Sequence, residues 1–154
     1  MVLLIIDEIY IAKRVEYSCS EVQGLTRDGN IASTLLCFMV KSLAGKYKDI
    51  VAIYPMDRLT AEKQHQCYTE VMAMLHSTDL NVVAVSVNNA ATNRKFFSDH
   101  LCGGTLTTQI IDTVTGQPLF LLFDPVHTIK NVYNNFQCRK VFECPTVETT
   151  LPNS

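Results

Sequence analysis

Tryptophan is absent from this sequence, glycine and proline number only six and five, and no apolar run approaches the length of a membrane span. The low glycine and proline content excludes a collagen-like or low-complexity chain, and the short apolar runs exclude a spanning helix. A surplus of positive charge is missing too, since 13 Lys and Arg stand against 15 Asp and Glu. Phosphate contacts supply most non-specific affinity for nucleic acid, so a chain of net charge −2 is poorly equipped to hold DNA by itself. The six cysteines (Cys19, Cys37, Cys67, Cys102, Cys138 and Cys144) form no CxxC or CxxC…HxxxH pattern, which removes the usual structural zinc sites. The opening Val2–Ile6 run is too short for a secretory leader, lacks a charged flank and runs straight into Asp7 and Glu8. The expectation is an unsecreted protein with reduced thiols used mainly in core packing.

What is present is a chain of 154 residues, enough for one domain with a real core. Val2 to Arg14 is aliphatic and β-branched and reads as a strand with Asp7 set into it. Val15 to Leu25 suggests a second short strand with a turn, and Thr26–Asn30 is turn chemistry. Ser33 to Leu43 is a buried apolar run open to two readings. It is either one arm of a hairpin closed across Ala44–Lys48 by Asp49–Tyr54, or a helix.

From Thr60 to His76 the period changes. Cys67, Tyr68, Val71, Met72 and Leu75 fall at helical spacing, with Glu62, Lys63, Gln64 and Glu70 assigned to the other faces. Thr60 is the expected N-cap, its hydroxyl accepting an otherwise orphaned N–H. Leu80–Val87 follows as a buried strand and Asn88–Ala91 as a turn. A helix over Thr92–Cys102 buries Phe96, Phe97 and Leu101 and is stopped by Gly103-Gly104. Thr107–Thr113 and Leu119–Phe123 read as two more strands. Asp124-Pro125 then opens a last helix whose expected buried stripe is Val126, Ile129, Tyr133 and Phe136. The order of elements calls for an α/β fold, a mixed sheet with flanking helices.

Three segments carry a family resemblance. Leu4–Ile11 (LIIDEIYI) is similar to the first strand of P-element-type, THAP-associated transposases, an apolar run ending in Asp-Glu. Val85–Arg94 (VSVNNAATNR) resembles their strand ending in Asp-Gly-Ala followed by Thr-Asn-Arg. Phe123–Asn135 (FDPVHTIKNVYNN) resembles their Phe-Asp-Pro-Pro-His stretch. The resemblance implies an RNase H-like domain over residues 1–137, with 138–154 a disordered tail or the start of an insertion. It implies an enzyme that cuts and joins DNA strands with Mg²⁺ or Mn²⁺ held by three carboxylates. Paired hard cations stabilise the attacking and leaving oxygens of an in-line displacement.

Under that resemblance Asp7 is the first metal-binding catalytic carboxylate. The second position is occupied by Asn88, an amide where an aspartate is expected, which is a weaker ligand for a hard cation. The third, a glutamate, lies further downstream in the family, and Glu143 and Glu148 stand in the wrong context to replace it. The chain therefore reads as an incomplete catalytic domain or truncated gene product, inactive alone. The competing reading is a degenerate or domesticated module that binds protein or DNA. DNA would be held mainly through other domains of the family, GTP through a region this chain lacks, and self-association is left open. The implied location is the nucleus, with the cytoplasm as the alternative. Asp124 reads first as a helix cap and second as a site-edge residue. His127 and Lys130, with Asn131, Asn134, Asn135, Arg139 and Lys140 nearby, could touch a phosphate backbone, although a solvated helix face is the commoner role of such residues.

Overall fold

The computed structural model describes residues 1–18 and 21–138. Its main element is a six-stranded mixed sheet built from β1 (Val2–Tyr10), β4 (Thr34–Ser42), β5 (Lys48–Met56), β6 (Val82–Val87), β7 (Gln109–Ile111) and β8 (Pro118–Phe123). The spatial order is β5-β4-β1-β6-β8-β7. Strands β1, β6 and β8 lie side by side and parallel, and antiparallel pairs flank them on both sides. Two further strands, β2 (Glu16–Ser18) and β3 (Glu21–Gln23), pair only with each other.

The parallel strands need crossovers, and helices supply them. Helix α1 (Ala61–Ser77) precedes β6, while α2 (Ala91–Lys95) and the π-helical turn Phe96–Leu101 precede the β7–β8 pair. Alternation along β1 buries Val2, Leu4 and Ile6 on one face and leaves Leu3 and Ile5 half-buried on the other. The buried set meets Phe38 and Val40 of β4, Val85 and Val87 of β6, and Leu119 and Leu121 of β8. Against it pack Cys67, Tyr68, Val71, Met72 and Leu75 of α1, with Phe96 and Phe97 of the π turn. This one core accounts for the fold.

Ser33–Leu43 resolves as strand. Burial on both faces hides the alternation that would have identified it, and the hairpin partner β5 decides the matter. Val15–Leu25 forms two short strands rather than one, and neither joins the main sheet. Gly24 anchors that excursion. Its φ is +92°, and a Cβ there would stand 2.0 Å from the Arg14 carbonyl oxygen, so only glycine fits. Thr60 caps α1 as expected, its Oγ1 accepting from Lys63 N at 3.2 Å.

Gln64 departs from expectation, being fully buried rather than on a polar face. It sits three and four residues before Cys67 and Tyr68, so the helical period places it in the apolar stripe despite its amide. The expected Thr92–Cys102 helix is split, five α-helical residues giving way to the π turn, which Gly103 (φ +66°) follows.

Residues 125–138 belong to a second compact unit. Helix α3 (Pro125–Gln137) has the expected spacing, but its apolar stripe is not buried. Val126, Ile129, Tyr133 and Phe136 are 59–73% exposed. Periodicity shows that a helix has an apolar face and says nothing of what covers it. The expected tail, with Arg139, Lys140, Glu143 and Glu148, lies outside the described residues apart from Cys138.

Candidate active site at the strand ends

Three parallel strands end at one edge of the sheet, and in open α/β sheets such carboxyl ends are where ligands bind. Ile5 of β1 pairs with Ser86 of β6, and Val87 of β6 with Phe123 of β8. Continuing those registers past their last pairs brings Asp7, Asn88 and Asp124 into line at the ends of adjacent strands. The Asp124 N–H donates to the Val87 carbonyl at 2.8 Å, which holds that alignment at the last step. The two catalytic positions expected from the sequence, Asp7 and Asn88, are thus neighbours, with Asp124 beside them.

Asp7 is exposed, and one carboxylate oxygen accepts from the Glu8 N–H at 2.9 Å. Solvent access relieves the expense of an ionised group at the end of an apolar strand. Glu8 is half-buried on the opposite face. Asp7 pairs with Cys37 of β4 across the antiparallel ladder. Burial raises the Cys37 thiol above its ordinary pKa, and the Asp7 charge adds to that, so the thiol stays protonated beside the carboxylate.

Asn88 is held from the inside. Its Oδ1 accepts from the Ala90 N–H at 3.0 Å and from Asn93 Nδ2 at 2.8 Å. Asn93 Nδ2 also donates to the Asn88 carbonyl at 3.1 Å, and Asn93 Oδ1 accepts from Gln64 Nε2 at 2.8 Å. Arg94 Nη1 binds the Asn89 carbonyl and side chain at 2.9 and 3.1 Å, so this arginine is engaged in holding the turn. Gln64 and Asn93 carried no role in the sequence reading. Helical spacing was the available signal for Gln64, and the Thr-Asn-Arg run contained Asn93.

A pair of divalent cations does not fit the described residues. The one oxygen of the Asn88 amide already takes two hydrogen bonds, and among the described residues no group of three His, Cys, Asp or Glu is arranged to hold a metal ion. His127 and Lys130 are exposed on α3, in the other unit, and are placed on that helix alone.

The opposite, amino edge of the sheet carries a different cluster. A cavity of about 260 Å³ is lined by Tyr68, Met72, His76, His100, Asp112 and Leu119 among others. Asp112 Oδ2 lies 3.0 Å from His76 Nε2, an ion-pair distance without hydrogen-bond alignment. Asp112 also accepts from Thr115 Oγ1 at 2.7 Å and Val114 N at 3.1 Å. Burial alone would raise its carboxyl, but these bonds and His76 bring it below its ordinary pKa.

The sequence profile described as TNP-like, RNase H N-terminal domain matches residues 1–100. The chain belongs to that family. Among solved structures, one titled Drosophila P element transposase strand transfer complex is similar, with a TM-score of 0.68 at 20% identity. The likeness covers 88% of this chain and 29% of that one, so this RNase H-like domain spans less than a third of its neighbour's length. No curated protein matches. Among the described residues no helix is long and apolar enough to cross a membrane.

Proposed function

We propose that this chain is the RNase H-like domain of a P-element-type transposase, over residues 1–137, whose catalytic edge keeps its position but not its ligand set. The ancestral activity is DNA strand cleavage and transfer with Mg²⁺ or Mn²⁺, and this chain does not perform it alone. The observation that carries the reading is the convergence of Asp7, Asn88 and Asp124 on the ends of adjacent parallel strands. Asp7 keeps the first carboxylate, and Asn88 marks the altered second position. DNA is the proposed substrate, contacted mainly through other parts of a larger protein, and the nucleus the proposed location. GTP belongs to the same family reading, with no residue of this chain assigned to it.

The test is incubation of the purified chain with duplex DNA and Mg²⁺ or Mn²⁺. The expected result is no cleavage, and binding that is weak and falls steeply with salt. Metal-dependent cleavage abolished by Asp7→Ala would overturn the inactivity. Nanomolar binding insensitive to salt would overturn the claim that the main DNA contacts lie elsewhere. A second reading, a non-catalytic interaction module, draws on the exposed apolar stripe of α3, where Ile129 and Phe136 are 68% and 73% exposed. Equilibrium sedimentation of the chain beside Ile129→Ser/Phe136→Ser tests whether that stripe mediates self-association.

A further inference from the structure

Side-chain amides can be read either way round unless something with fixed polarity contacts them. Two backbone groups do so at residue 88. The Ala90 N–H can only donate, so the atom 3.0 Å from it must be the Asn88 oxygen. The Asn88 carbonyl can only accept, so the atom 3.1 Å from it must be the Asn93 nitrogen. That nitrogen also serves Asn88 Oδ1 at 2.8 Å. Asn93 Oδ1 is thereby turned inward, and the Gln64 amide must answer with its nitrogen, at 2.8 Å. Reversing any member would set donor against donor or acceptor against acceptor. Gln64 is 0% exposed and Asn93 7%, and Gln64 Oε1 has no protein partner, so the inner end of the chain of bonds is buried while its outer end at Ala90 is exposed. A buried acceptor left unmet is tolerated here because the other end of the same amide is needed.

We infer that Gln64 and Asn93 are positioning residues for position 88, locking its amide with the oxygen inward, so that its outward atom is a hydrogen-bond donor where a cation would need an oxygen. An amide is planar, and when its oxygen is held inward its nitrogen is directed away from the relay. An aspartate at this position would keep both inward bonds through one carboxylate oxygen and turn the other outward in place of the nitrogen. The relay therefore accommodates either residue, and a single outward atom separates a metal ligand from a metal-repelling donor. The inference rests on the reading of the strand ends as a former metal edge.

Two measurements on the full chain test it. The first needs no metal. Side-chain amide NMR should show the Asn93 NH₂ protons protected from solvent exchange, with a coupling through the hydrogen bond to the Asn88 carbonyl carbon. Exchange of the Asn93 NH₂ at the rate of a free amide would overturn the relay. The second is calorimetric titration with Mn²⁺. The wild-type chain should show no saturable binding, Asn88→Asp should gain it, and Asn88→Asp/Gln64→Met should lose about tenfold of the gained affinity. Such a loss corresponds to about 1.4 kcal/mol. Gln64→Met keeps the buried volume while removing the amide. Equal Mn²⁺ affinity in the single and double variants would overturn the positioning role. Absence of binding in Asn88→Asp would instead refute the metal-edge reading, leaving the NMR arm to judge the relay alone. That arm also decides the matter if Gln64→Met fails to fold.

Discussion

The two ends of the parallel strands β1, β6 and β8 carry aspartates in opposite circumstances. At the amino end Asp112 is 8% exposed and tied to His76, Thr115 and the Val114 N–H. At the carboxyl end Asp7 is exposed and accepts from the backbone next to it. Helix α1 reaches both ends, with Gln64 in its first turn at one and His76 in its last at the other. A carboxylate surrounded by donors and shut away from water is doing structural duty. One left open where strand ends converge is available to a ligand. Charge and residue type are the same at both ends, so surroundings alone distinguish them.

The sharpest way to break this contrast is Asp112→Ala. It strands His76 and opens the Asp112–Gln117 turn, and should cost about 3 kcal/mol of unfolding free energy in urea. A change under half that would mean the amino-end cluster is not what holds the β7–β8 turn to α1. Next comes Thr60→Ala, which removes the cap at the other end of α1. It should cost about 1 kcal/mol with an unchanged m-value. Loss of the Asn93 amide protection in the same variant would show that the cap and the relay act together.

A smaller effect is expected from acid. His65 stacks on His100 at 5.0 Å, and burial first, then the His100 charge, lower its pKa in the folded protein. A group depressed in this way binds more protons unfolded than folded, so its contribution is complete above the ordinary value of about 6.5 and is lost as pH falls through the folded value. Melting temperature should therefore drop on acidification below about pH 6.5, and His65→Gln should flatten that slope. A slope unchanged in the variant would place the titrating group elsewhere. The smallest effect is expected at Asp7→Ala, within about 0.5 kcal/mol of wild type, as for an exposed residue free of structural work. A loss comparable to that of Asp112→Ala would erase the distinction between the two ends.

Much of this arrangement was legible in the linear order. The α1 stripe, its Thr60 cap and the β6 strand followed from local period and cap chemistry, whereas Asp7 and Asn88 were singled out by the family resemblance alone. Gln64 was misplaced because its polarity outweighed its spacing, although its position three and four residues before Cys67 and Tyr68 was enough to put it inside. The Ser33–Leu43 run was undecidable, since a strand buried on both faces shows no alternation. The His76–Asp112 pair had no local signal at all. Its members lie on different elements that meet only after α1 packs on the sheet.

The sequence by itself determined most of the elements, the α/β class, the family likeness and the amide at position 88. These depend on backbone period, on turn and cap chemistry, and on residue identity, all of which are local. Only the tertiary structure decided that Asp7, Asn88 and Asp124 share one edge, that Asn88 is gripped by Asn93 and Gln64, and that Asp112 is enclosed while Asp7 is free. Those outcomes depend on which strands become neighbours and which faces lose water. Burial of the shared apolar core selects that arrangement, and no short stretch of chain encodes it alone.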